Sequence, residues 1–183
     1  MKKILLLLSF VLLCSGTYSQ EELKFSKVIQ SPTNSDKLSL HVALRSFVAS
    51  YYKNSQNVIQ MDDKEAGIII CKATTIFPSP SLMLSAYEGF LDYTLKLQSK
   101  DGRVRVEVST FMHHNLPGNQ KAANIGLLTT SDVYATSGIQ KKYHNKVWLM
   151  LKEKAFTTSE DIFAKIEEYI SNNTHSVESE EEW

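Results

Sequence analysis

Five histidines, two cysteines and one short acidic run are the places where chemistry could begin in this chain of 183 residues. His113 and His114 adjoin. In an extended segment they point to opposite faces and cannot close on one ion, so they read as surface or loop histidines rather than a metal pair. His41 and His144 fall on helical patterns with no histidine four residues on, so the two-histidine helical site of zinc hydrolases is missing. Asp62, Asp63 and Glu65 lack the alternating oxygen ligands over twelve residues that a calcium loop of the EF-hand type needs, and read as a solvated turn. Cys71 lies in the apolar run 69–73, where a thiol is buried and inert. It would become a nucleophile only if His113 or His144 were brought to it. The sequence has no Gly-x-Ser-x-Gly elbow and no glycine-rich phosphate loop. These residue types at these spacings predict a protein that is not an enzyme, with no catalytic, cofactor-binding or metal-ligating residues and no cofactor.

Charge narrows the partners. Lysine plus arginine and aspartate plus glutamate each total 20, so the chain is neutral. Lys96, Arg103 and Arg105 share a face with Glu107, which reads as a solvated sheet surface and gives no reason to expect a nucleic-acid partner. Tyr51, Tyr52 and Phe111 could serve as stacking platforms, although aromatic residues at element ends more commonly rim a core. Asn172-Asn173-Thr174 matches a glycosylation acceptor that matters only in a eukaryotic secretory pathway.

The N-terminus predicts a compartment. Lys2 and Lys3 precede a run from Ile4 to Leu13 in which Ser9 alone is polar, and Thr17 and Ser19 put small residues at the −3 and −1 positions of a cut between Ser19 and Gln20. That is a secretory signal peptide over residues 1–19. A lipoprotein cut before Cys14 is disfavoured by the bulk of Leu13 in front of it. Export implies a periplasmic, outer-membrane-associated or secreted protein without a transmembrane helix in the mature chain. It leaves 18 basic and 20 acidic side chains and Cys71 as the one cysteine, so stability must come from the core.

The elements that must position these residues follow from periodicity. Residues 23–30 read as a strand, and 35–53 as an amphipathic helix with Asn34 or Ser35 as its cap and Asp36 in its first turn. Residues 58–61 and 68–77 read as strands joined by a turn over 62–67. Residues 89–99 and 103–111 flank Asp101-Gly102, the signature of a type I′ hairpin. With those two as the loop, Leu97 faces Val106, Leu95 faces Val108 and Tyr93 faces Thr110, while Lys96 lies opposite Glu107 and Thr94 opposite Ser109. Residues 113–138 read as an irregular loop with a strand near 125–128. Residues 140–155 read as a second long helix, and Thr157 and Glu160 as a capping box opening a short terminal helix. Residues 172–183 are polar and rich in glutamate, the composition of a disordered acidic tail. The expected domain is a single α+β unit over 20–171 (core 23–112 plus helices over 140–171). Its β-α-β4-α order gives an antiparallel sheet whose buried face is covered by two long helices, as in helix-grip and TATA-binding-protein-like arrangements. The predicted core is Phe47, Val48, Ile69, Cys71, Leu95, Leu97, Val106, Val108, Val147 and Leu151.

The chain resembles a family of exported bacterial proteins of unknown function with a TBP-like fold. The resemblance rests on the signal peptide, the strand from Phe25 to Gln30, the helix start Ser35-Asp36-Lys37-Leu38 and the stretch from Val58 to Ile69. Within that stretch Asp63-Lys64-Glu65-Ala66-Gly67 is the most specific part. It continues through Tyr93-Thr94-Leu95 and Asp101-Gly102-Arg103, so it covers 23–112, and the segment after Phe111 departs from it. It implies the fold and export. The family has no known catalytic residues to carry over, and its name describes shape, not DNA binding. The function expected is a non-catalytic binding domain for a small apolar ligand held between helix and sheet, or for an envelope protein or glycan. The alternatives are a structural part of a surface assembly or an enzyme of an unrecognised kind. The oligomeric state is left open.

Overall fold

The computed structural model describes residues 21–79, 81–118, 123–136, 138 and 141–176. The cleavage site at Ser19 and Gln20, the alternative at Cys14 and the acidic run 177–183 lie outside the described residues. The elements in order are β1 (Phe25–Gln30), α1 (Lys37–Tyr51), the single turn α2 (Ser55–Val58), β2 (Ile59–Asp63) and β3 (Ile68–Phe77). A 3-10 turn (Leu82–Tyr87), β4 (Gly89–Lys100), β5 (Arg103–Asn115), β6 (Gly126–Leu127) and α3 (Lys141–Ser176) complete the chain. The six strands form one sheet in the order β1-β5-β4-β3-β2, with β6 also paired to β5. All pairings are antiparallel. The architecture is the expected α+β one, with α1 and α3 on a single sheet face. No helix among the described residues is long and apolar enough to cross a membrane.

The hairpin register holds from the tip to Thr94, with Leu97 opposite Val106, Lys96 opposite Glu107, Leu95 opposite Val108 and Thr94 opposite Ser109. Beyond that it slips by one. Asp92 pairs with Met112 and Leu91 with His113, so Thr110 and Phe111 together oppose Tyr93 and the expected Tyr93–Thr110 pair gives way to a bulge. Thr110 takes φ 53°, a left-handed conformation that a bulge of this kind usually gives to glycine. The slip inverts the side-chain parity of β5. Val104, Val106 and Val108 point inward before it, Phe111 and His113 after it. The turn also differs from the expected type I′. Gly102 has φ +72° but Asp101 is not in the positive region, the sign pattern of a type II turn. Asp101 is held by another duty, since its Oδ1 accepts from the Lys37 N–H at the start of α1.

Asp36, rather than Asn34 or Ser35, caps α1. Its Oδ1 accepts from the Ser39 N–H at 2.9 Å, and that bond holds its carboxyl below the usual value. α1 then buries Leu40, Leu44, Phe47 and Val48. α3 runs unbroken for 36 residues, not as two helices. Its buried stripe passes through Val147, Leu151, Ala155, Ser159, Ile162, Ile166 and Ile170 at steps of three and four. The expected capping box is unused. Thr157 Oγ1 donates to the Lys154 carbonyl and the buried Ser159 Oγ to the Ala155 carbonyl, so both hydroxyls are satisfied inside the helix. Residues 172–176, expected in the tail, continue this helix.

All ten predicted core residues are buried. Leu95, Leu97, Val106, Val108 and Leu151 are 0 % exposed, so they border neither solvent nor an internal void able to hold a water. The layer between helices and sheet is filled there by side chains, each worth ~1.5–3 kcal/mol on burial. Residues 123–136 are tied down to α3. Trp148 Nε1 donates to the Ser131 carbonyl, Lys152 Nζ to the Thr130 carbonyl, and Asn145 Oδ1 accepts from the Tyr134 N–H.

Candidate functional site

The residues singled out for metal or catalytic chemistry do not converge. Asp62 turns from β2 to α1, where Oδ1 meets His41 Nε2 at 2.8 Å and Oδ2 accepts from Arg45 Nε at 2.7 Å. Asp63 Oδ1 accepts from the Ala66 N–H, and the Glu65 carbonyl accepts from Lys37 Nζ. Among the described residues no group of three His, Cys, Asp or Glu could hold a metal ion. His113 is not a surface histidine. It is 1 % exposed, with Nε2 donating to the Tyr87 carbonyl and Nδ1 accepting from the Ile125 N–H. Burial lowers its pKa, which fits that neutral form. His114, on the outer face, pairs with Asp92 at 3.0 Å. His144 packs between the rings of Tyr87 and Tyr134. Cys71 and His113 both face the helices but stand four residues apart along the sheet, ~13 Å at the usual strand rise. Burial pushes the Cys71 thiol up to about 12, so it stays protonated.

Sequence reasoning missed the His41–Asp62–Arg45 cluster. Spacing sets His41 off the buried stripe of α1, yet it is 2 % exposed. Burial raises the Asp62 carboxyl, but the hydrogen bonds from Arg45 and His41 outweigh it and hold the group below its usual pKa. The signal available is a histidine and an arginine four residues apart on one helix. The cluster clamps α1 onto the edge strand β2 and contains no nucleophile.

What the fold does assemble is a ring of hydroxyls at the C-terminal end of α1. α1 ends at Tyr51, and Tyr52 is its C-cap. Tyr51 Oη donates to Asp161 Oδ2 on α3 at 2.9 Å. Tyr52 and Tyr93 bring their hydroxyls within 3.2 Å. The Tyr51 ring stacks on Phe47 and meets Tyr52 edge-on. Thr74 and Thr75 from β3 and Lys154, Thr157 and Thr158 from α3 complete a recess of about 390 Å³. Burial raises the pKa of Tyr51, Tyr52 and Tyr93, so each keeps its proton. One proton serves the Tyr52–Tyr93 bond and the other remains to be donated. The recess therefore offers neutral hydroxyl donors and acceptors, aromatic edges, one ammonium and one carboxylate. Of the three stacking candidates in the sequence, Tyr51 and Tyr52 line this recess, but Phe111 is 0 % exposed in the core.

A crystal structure of a TBP-like protein from Parabacteroides distasonis superposes with TM-score 0.58 at 18 % identity, covering 81 % of this chain and 92 % of that one. One of a DUF4468 family protein from Bacteroides ovatus gives TM-score 0.54 at 15 % identity, covering 81 % and 86 %. At these identities the likeness concerns the fold. No curated protein matches the chain. The family model that matches runs from the start of β1 to His114, one residue short of the end of β5, the segment that builds the hairpin, its bulge and the α1 clamp. Over residues 25–114 this chain thus matches the family described as "Domain of unknown function (DUF4468) with TBP-like fold".

Proposed function

We propose that this protein is an exported, non-catalytic binding domain that holds a hydroxyl-rich ligand, an envelope glycan, in the tyrosine recess. The observation that carries this reading is the convergence of Tyr51, Tyr52 and Tyr93 with Asp161, Lys154 and four threonines around one open recess. Protonated phenols and aliphatic hydroxyls suit a neutral polyol better than a phosphate or an acyl group undergoing attack. A small apolar ligand has less to recommend it, because the layer between helices and sheet is filled. Export is inferred from the N-terminal signal pattern, and with it a periplasmic, outer-membrane-associated or secreted location. A structural role in a surface assembly draws on Leu82 and Met83, which are 95 % and 73 % exposed on the 3-10 turn.

The test is a titration of the ¹⁵N-labelled protein with short β-linked amino-sugar and neutral hexose oligomers. Shift changes should cluster at Tyr51, Tyr52, Tyr93 and Thr157. They should weaken at least tenfold in Tyr52→Phe and Tyr93→Phe, which keep the rings and remove the hydroxyls. Sugar-induced shifts elsewhere, or none at millimolar sugar, would reject the recess as a glycan site.

A further inference from the structure

The sheet face away from the helices carries a feature that the tyrosine recess does not account for. Ser99, Val104 and Val106 turn inward and are buried, so Gln98, Lys100, Arg103 and Arg105 turn outward. With Val28 of β1 these four line a groove of about 310 Å³ at the hairpin tip. The register sets Lys100 directly opposite Arg103, and Arg105 between Val28 and Gln98. Arg103 and Arg105 stand two residues apart on one strand, ~7 Å along it, so three cations root in one small patch.

Like charges directly opposed across a strand pair are destabilising. Further along the same hairpin the sheet avoids this by alternating sign, with Lys96 opposite Glu107. At the tip nothing does so. Among the described residues Lys100 and Arg103 have no ion pair. Arg105 reaches Glu107 only at 3.9 Å, a long and exposed contact. Asp101, the carboxylate next to Lys100 in the turn, accepts from the Lys37 N–H of α1 instead. The turn itself is anchored, since the Gly102 N–H donates to the Ser35 carbonyl and the Gly102 carbonyl accepts from the Ser31 N–H. The repulsion is therefore held in place on a fixed platform, where a bound anion would relieve it.

The shape of the patch selects the anion. A lone carboxylate is satisfied by one guanidinium fork, whereas two guanidinia and an ammonium match the three oxygens and double charge of a phosphoryl group. Glu107 borders the cations on one side, which confines the positive field to the tip and disfavours an extended polyanion. The volume lies at the low end of small-molecule sites, ~300–1,000 Å³. Val28, 52 % exposed, offers an apolar floor to a carbon skeleton, and the Gln98 amide can pair with a hydroxyl.

We propose that this groove is a binding site for a sugar phosphate, with the phosphoryl oxygens on Arg103, Arg105 and Lys100 and the sugar ring along Val28 and Gln98. It is separate from the tyrosine recess and does not depend on it.

The test is a titration of the ¹⁵N-labelled full chain with glucose 6-phosphate near pH ~7.5, above the phosphoryl pKa of ~6. Amides of Val28 and of Gln98 to Arg105 should shift and saturate, while those of Tyr51, Tyr52 and Tyr93 stay still. Lys100→Gln and Arg103→Gln should each weaken binding about tenfold, the loss of one charge-assisted hydrogen bond. Arg103→Lys should also weaken it, because it keeps the charge and removes the fork. Neither glutamine variant should lower the thermal midpoint of the free protein, since each removes a repulsion, so weaker binding reads as lost contacts and not as unfolding. Glucose alone should leave the tip amides unmoved. The proposal is overturned if glucose 6-phosphate at millimolar concentration shifts nothing at the tip, or if inorganic phosphate shifts these amides equally well. Binding to phosphatidic acid in phosphatidylcholine vesicles, without any response to glucose 6-phosphate, would also overturn it by putting a lipid surface in place of the sugar.

Discussion

The two halves of the β4–β5 hairpin obey different rules. From the Asp101-Gly102 turn to Thr94 and Ser109 the strands pair one to one, with valines and leucines inward and Lys96, Gln98, Arg105 and Glu107 outward. From Tyr93 and Thr110 onward the pairing is offset by a residue, and β5 presents Phe111 and His113 inward with Met112 and His114 outward. The first half is fixed by many weak choices that agree. The second depends on one residue, Thr110, held where its branched side chain is disfavoured. The difference teaches that strand chemistry is set by parity as much as by residue type. His113 is a buried structural histidine, and His114 a half-exposed partner of Asp92, solely because of where the bulge falls.

Leu97→Ala in the regular half should cost about 2–5 kcal/mol in urea unfolding, with the fold retained. His113→Leu in the offset half should cost ~2–3 kcal/mol, because the Tyr87 carbonyl and the Ile125 N–H lose their partner.

That variant also carries a pH signature. Burial lowers the folded pKa of His113 beneath its unfolded value near ~6.5, so its stabilisation is complete above that pH. As pH falls the unfolded chain takes up a proton that the folded one refuses. Stability therefore declines, by at most ~1.4 kcal/mol per pH unit. Melts of the parent and of His113→Leu between pH 7 and 5 should converge on acidification. Parallel curves would mean that His113 is not the group responsible.

Thr110→Gly should run the other way, gaining about 1 kcal/mol by relieving the left-handed strain. A loss would show that the threonine side chain contributes packing that outweighs its backbone cost. Lys96→Ala, in the regular half and on the wet face, should change stability by less than ~0.5 kcal/mol. Its cross-strand neighbour Glu107 makes its ion pair with Arg105 along its own strand.

Much of this architecture is legible in the residues. β3 runs over the expected span, the tip register follows from the Asp-Gly pair, and the ten core positions follow from alternation and helical spacing. The bulge escapes because threonine is a strand former and glycine is the usual marker at such a position. A trace is present nonetheless, since the inward series Val104, Val106, Val108 is continued by Phe111 at a step of three. A capping box at Thr157 resembles a helix start and divides α3 in two. The continuity of Leu151, Ala155, Ser159 and Ile162 on one face is the contrary signal. The tyrosine recess cannot be read as a unit, because residues 51, 93 and 161 meet through a sheet register and a helix–helix packing that no local pattern encodes.

The position of β1 has a consequence in time. The β4–β5 hairpin closes over a two-residue turn, an event of ~1–10 μs. β1 pairs with β5 across more than seventy intervening residues, Gln30 with Arg103. A ribosome supplies residues N-terminus first at ~5–20 per second, so β1 waits several seconds for its partner strand to emerge. During that wait Phe25 and Ile29 have no sheet to enter, and any factor that shields nascent or translocating chains would have its first client segment there.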